Sequence, residues 1–120
     1  MRLKLQEFYE LYKDKPFVWG GWDCIIFAAK WVEFTSGRVI EMPTYKTALE
    51  TRKFDLIEAI DNELVKTERP NYGDIVVFQQ QNTMITTGIK MDKSILTIQD
   101  KGLVPVYFNY HLAWELPCLQ

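Results

Sequence analysis

The stretch Pro16-Phe17-Val18-Trp19-Gly20-Gly21-Trp22-Asp23-Cys24-Ile25-Ile26-Phe27-Ala28-Ala29-Lys30-Trp31-Val32-Glu33-Phe34-Thr35-Ser36-Gly37 carries the strongest local signals in the chain. Asp23 is a good N-cap, because its carboxylate can accept from the unpaired N–H groups of a first helical turn. Cys24, Phe27, Ala28, Trp31, Val32 and Thr35 then recur at helical spacing on one face. Ser36-Gly37 supplies the stop, with glycine free to adopt the left-handed conformation that ends many helices. Upstream, Leu5, Phe8, Tyr9 and Tyr12 predict a short amphipathic helix over residues 3–13 that Pro16 terminates. Downstream, Leu56, Ile57, Ile60 and Leu64 predict one or two connecting helices within residues 45–64.

After Arg69-Pro70-Asn71-Tyr72-Gly73 the pattern changes. Short apolar runs over 75–78, 84–91, 95–98 and 104–108 predict strands. They are separated by polar turns at 79–83 and 92–94 and by Asp100-Lys101-Gly102. Helices first and a small antiparallel sheet second make an α+β domain. A length of 120 residues suits one domain covering 1–120, with a core that needs no disulfide or metal. A composition of 48% hydrophobic and 25% charged residues is that of a folded globular chain. Trp19, Trp22, Trp31 and Trp114 are expected mainly in the core.

Charge and cysteine usage narrow the partners. With 14 basic and 16 acidic side chains the chain lacks the positive field that holds a phosphate backbone, so nucleic acid is not an expected partner. No run approaches the roughly 18 apolar residues of a membrane span, and Met1-Arg2-Leu3-Lys4 leads into a polar helix, so synthesis in the cytosol is expected. Cys24 and Cys118 lack CxxC spacing and His111 is the single histidine, so neither a structural metal nor a cofactor is expected. A Cys24–Cys118 disulfide is the minor alternative for a chain made in the cytosol.

Cys24 is the candidate for chemistry. It lies one residue inside the start of the second helix, where unpaired N–H groups and the positive end of the helix dipole stabilise a thiolate. Such settings lower the thiol pKa below its free value of about 8.5 and make cysteine a better nucleophile. Position alone does not establish that role, since free cysteines are common inert core residues.

The surrounding motifs add weight. The Trp19-Gly20-Gly21-Trp22-Asp23-Cys24 approach to a small-residue helix resembles the nucleophile motif of the NlpC-type, papain-like cysteine peptidases. Tyr72-Gly73-Asp74-Ile75-Val76-Val77-Phe78 resembles that family's Pro-Gly-Asp-Leu strand, and Thr86-Thr87-Gly88-Ile89 sits where the family has His-Val-Gly-Ile. The endings Gly102-Leu103-Val104-Pro105-Val106 and Ala113-Trp114-Glu115-Leu116 resemble a group of short phage proteins associated with tails. The resemblance implies a papain-like fold with N-terminal helices packed on a small antiparallel sheet. It also puts Cys24 at the nucleophile position and Thr86 at the position of the general-base histidine. A threonine hydroxyl has no protonation equilibrium near neutral pH and cannot relay the thiol proton. What it implies is therefore a degenerate peptidase, a phage tail or virion protein made in the host cytoplasm. Its expected partners are other tail or hub proteins, or further copies of itself. The alternative is an active hydrolase that cleaves peptidoglycan stem peptides.

Two sets of residues stay open in the sequence. His111 is either a surface or structural residue or a substitute base brought to Cys24 by the fold, which only geometry decides. Trp19, Gly20, Trp22 and Asp23 either line a substrate cleft or pack a tight loop over the helix, with Asp23 read as the cap. Asp74 reads as a turn acid that opens a strand.

Overall fold

The computed structural model describes residues 1–42, 46, 55–79, 85–107 and 109–117. Helix α1 spans Arg2–Tyr12 and buries Leu5 and Phe8. Helix α2 spans Cys24–Ser36, capped by the Asp23 carboxylate at one end and by Gly37 at φ 76° at the other. Helix α3, Leu56–Asp61, begins where the Asp55 side chain accepts from the Glu58 N–H. Of the helical region predicted over 45–64, residues 45 and 47–54 lie outside the described residues.

Among the described residues five strands follow: β1 Ile75–Gln79, β2 Ile85–Lys90, β3 Ile95–Gln99, β4 Gly102–Val106 and β5 Tyr110–Trp114. They form one sheet in the order β4-β3-β2-β1-β5, with every pairing antiparallel. This is the predicted α+β architecture with one more strand than the apolar runs indicated. Strand β5 returns to lie beside β1, with Ile75 opposite Trp114 and a register shift at Val77/Phe78. The predicted fourth strand begins earlier, at Gly102, and ends at Val106; Met84 and Phe108, which bounded two of the predicted runs, lie outside the described residues.

The sheet is apolar on both faces. Ile75, Val77, Ile89, Leu96, Ile98, Leu103 and Trp114 join the helices in the main core, while Val76, Phe78, Ile95, Val106 and Ala113 form a second cluster. Burial on both faces explains why β1 reads as an unbroken apolar run instead of an alternation. Across the main core, Phe8 packs edge-on against Trp31, with ring centroids 5.2 Å apart, and the Trp31 indole donates to the Gly73 carbonyl at 2.7 Å. That bond ties α2 to the turn that opens β1. Gly102 allows the end of α1 to touch β4: at φ 141° it leaves no room for a Cβ, which would fall on the Lys13 carbonyl oxygen. The same carbonyl accepts the Leu103 N–H at 3.0 Å.

Candidate functional site

The segment before α2 is a tight loop. Val18 and Trp22 form an antiparallel bridge around it, and Gly20 takes φ 75° at its tip. Asp23 holds the loop to the helix. One carboxylate oxygen accepts from the Ile25 and Ile26 N–H groups, both at 3.0 Å, and the other accepts from the Gly20 N–H at 2.9 Å. The side chain is fully buried, so Asp23→Ala would strand three donors. The expected loss is about 2 kcal/mol, the upper end for an N-cap, measured as a lowered urea midpoint with an unchanged slope. A loss under about 0.5 kcal/mol would show that this cap is dispensable.

Beyond the loop, the Phe17 N–H donates to the Asp100 carbonyl at 3.2 Å and so fastens the segment to the β3–β4 turn. Phe17 and Trp19 pack edge-to-face at 4.9 Å. Together with Ile85, Ile98 and Val104 they wall a cleft of about 580 Å³, whose polar lining comes from Cys24, Thr86, Gln99, Asp100 and Lys101. That volume lies within the range of small-ligand pockets.

Cys24 sits at the inner end of these contacts. The Thr87 hydroxyl donates to the Cys24 backbone carbonyl, and the Thr87 carbonyl accepts from the Thr97 hydroxyl at 3.0 Å. Two buried threonine hydroxyls thus donate to backbone carbonyls, one linking β3 to β2 and the other linking β2 to the first residue of α2. Burial pushes the Cys24 thiol above its ordinary pKa, against the lowering effect of hydrogen bonds from Thr87, and the Asp23 charge pushes it further up. The helix N-terminus led to the opposite expectation. Desolvation of the anion outweighs the dipole here because the thiol is enclosed.

The linkage has a definite sign. A thiol whose folded pKa is raised loses its proton in the unfolded chain first, so its stabilisation is complete below the ordinary thiol pKa and is lost as pH rises toward the folded value. Stability of the wild type is therefore expected to fall faster than that of Cys24→Ser as pH rises above about 8.5, by up to about 1.4 kcal/mol per pH unit. Parallel urea titrations of the two proteins check this; coincident curves would mean that the thiol is not held neutral.

A family model described as a domain of unknown function, DUF6950, matches residues 1–116. The chain belongs to the DUF6950 family. No curated protein and no solved structure matches it.

In this DUF6950 domain, Cys24, Thr86 and Trp19 share the cleft. The other residues expected to line it do not. Trp22 turns inward, 3% exposed, against Tyr12 at 4.8 Å and under the Lys15 ammonium at 4.5 Å. Gly20 shapes the loop tip and Asp23 lies beneath it as the cap. His111 is exposed on β5, with β1 between β5 and β2, a span of two strand spacings, or roughly 10 Å. Among the described residues lining the cleft, the titratable groups are Cys24, Asp100 and Lys101, with no imidazole. Cys118 lies outside the described residues.

Gln99, Asp100, Lys101 and Val104 were not anticipated as cleft residues. Their sequence signals were the turn at residues 100–102 and the apolar run that Val104 opens, and neither says what those residues face. Asp74 has the structural role its position suggested, accepting from the Asn71 N–H at 2.8 Å and the Leu116 N–H at 3.3 Å. Among the described residues no group of three or more His, Cys, Asp and Glu side chains is placed to hold a metal ion, and no helix is long and apolar enough to cross a membrane.

Proposed function

We propose that this DUF6950 chain is a phage tail or virion protein with a degenerate NlpC-like, papain-like fold. Made in the host cytoplasm and carried in the tail, it acts in tail assembly or tail-tip contacts with hub proteins, with other tail proteins or with further copies of itself. The observation that carries the non-catalytic half of this reading is the make-up of the cleft. Cys24 faces it with its pKa raised by burial, threonine stands at the expected histidine position, and no imidazole lines it. A neutral thiol without a base is a poor acyl acceptor and has no means of protonating a leaving amine. The phage and tail assignment rests on the motif resemblance.

The second reading is a cysteine hydrolase that cleaves peptidoglycan stem peptides during phage entry. It is favoured by the cysteine's place at the start of α2 and by a cleft of ligand size. Mass spectrometry of purified peptidoglycan incubated for hours with wild type, Cys24→Ala and His111→Ala separates the two. The expected result is no released peptide from any of them. Release by wild type that disappears in Cys24→Ala would overturn the degenerate reading. The tail role has its own check in light scattering of the purified chain, alone and mixed with tail and hub proteins of the same phage. A chain that stays monomeric and binds none of them loses that assignment.

A further inference from the structure

The outer face of α1 carries a second depression, remote from the cleft, lined by Leu3, Gln6, Glu7, Glu10, Leu11 and Phe34 and enclosing about 600 Å³. Its two leucines are among the most exposed large apolar side chains of the described residues, at 75% for Leu3 and 65% for Leu11. The helix has already buried Leu5 and Phe8 on its inner side, so these two are not needed for the core. Leu3, Glu7 and Leu11 recur every four residues and lie along one line of the helix, about 12 Å from first to last. Phe34 of α2 supplies the floor.

The charged side chains that line this groove have one sign. Both ionisable residues lining it are carboxylates. Glu10 is paired with Lys13 at 2.9 Å. The nearby cations Lys4 and Lys30 point to the Thr35 carbonyl at 3.4 Å and to Glu33 at 3.6 Å. Glu7, midway between the leucines, makes no ion pair among the described residues.

We infer that this groove docks an amphipathic helix of a partner protein that sets a lysine or arginine between two apolar anchors about two turns apart. The leucines and Phe34 receive the anchors, in the manner of helix-in-groove recognition, and Glu7 receives the cation. A second copy of this chain is the wrong occupant. Pairing α1 with itself so that the leucines meet would bring Glu7 against Glu7 in either direction, and a like-charge contact at the centre of an interface opposes association. The inference is independent of the fate of the cleft chemistry, since no groove residue lines the cleft.

The test uses the purified full chain and a fluorescein-labelled synthetic helix with two leucines seven residues apart and a lysine between them. A matched peptide carries glutamate in place of the lysine. Fluorescence anisotropy is expected to show saturable binding of the lysine peptide, weakened at least about tenfold in Leu3→Ser/Leu11→Ser. The glutamate peptide is expected to bind roughly threefold more weakly, a difference that reverses in Glu7→Lys and shrinks at high salt. All three positions are exposed, and circular dichroism confirms that the variants fold. Absence of binding, or equal affinity for wild type and the double leucine variant, would overturn the proposal. So would a concentration-dependent dimer of wild type that the leucine substitutions abolish, because the occupant would then be a second copy.

Discussion

Trp31→Ala is expected to remove most of the stability of the domain, about 5 kcal/mol. The side chain is fully buried, and truncating a buried Trp to Ala costs about 3–5 kcal/mol through lost transfer energy and the cavity left behind. A further 1–3 kcal/mol comes from the Gly73 carbonyl, which loses its indole donor in a dry setting. The sum rivals the whole stability of a typical small domain, about 5–15 kcal/mol. Neighbouring rings cannot close the gap, since Phe8 and Phe34 hold their places by packing on the same indole at 5.2 and 6.1 Å. Trp31→Phe keeps an aromatic ring and gives up the hydrogen bond, so it is expected to lose about half as much. Urea unfolding followed by far-ultraviolet circular dichroism measures both. A loss below about 2 kcal/mol for the alanine variant would mean that the α2-to-β1 connection is carried elsewhere.

Thr86→His is expected to raise the reactivity of Cys24 at pH 7 about tenfold. Both positions line the same cleft. An imidazolium beside the thiol favours the thiolate, and each pKa unit of lowering multiplies the thiolate fraction by about ten. The measurement is the rate of iodoacetamide alkylation, read by mass spectrometry in a Cys118→Ser background so that one cysteine reports. An unchanged rate in a folded variant would show that an imidazole at residue 86 does not reach the thiol. The assignment of Thr86 to the histidine position would then fail. Thr87→His is the informative control. The Thr87 hydroxyl is committed to the Cys24 carbonyl, so that substitution is expected to disturb the start of α2 in addition to the thiol.

Local signals made much of this fold legible. Asp23 and Gly37 bracket α2 as their chemistry requires, because capping depends on side-chain type and backbone freedom within a few residues. Strands β1 to β4 stood out as apolar runs between turns. Strand β5 did not, and the reason is physical. Its five residues begin with exposed Tyr110 and His111, the register shifts where it meets Phe78, and its partner lies more than thirty residues upstream. Nothing near Tyr-His-Leu-Ala-Trp announces β1. Cys24 was visible as a position but not as an environment. The rise of its pKa comes from burial in a core built by other elements, which outweighs the lowering effect of the Thr87 hydrogen bonds. The aromatic loop divided in a way that residue type does not reveal. Trp19 faces the cleft and Trp22 faces the core, and the bridge between Val18 and Trp22 sets that division.

The return of β5 to the flank of β1 has a consequence for how the chain is made. As the polypeptide leaves the ribosome, β1 can pair with β2 early, while its other edge waits for residues 110–114. Until those residues emerge, Ile75-Val76-Val77-Phe78 presents an unpaired apolar edge, the kind of surface that recruits strands from other molecules. Ribosome-bound chains stopped before residue 110 thus carry the form of this domain most exposed to aggregation, and the last strand acts as the lock that ends that exposure.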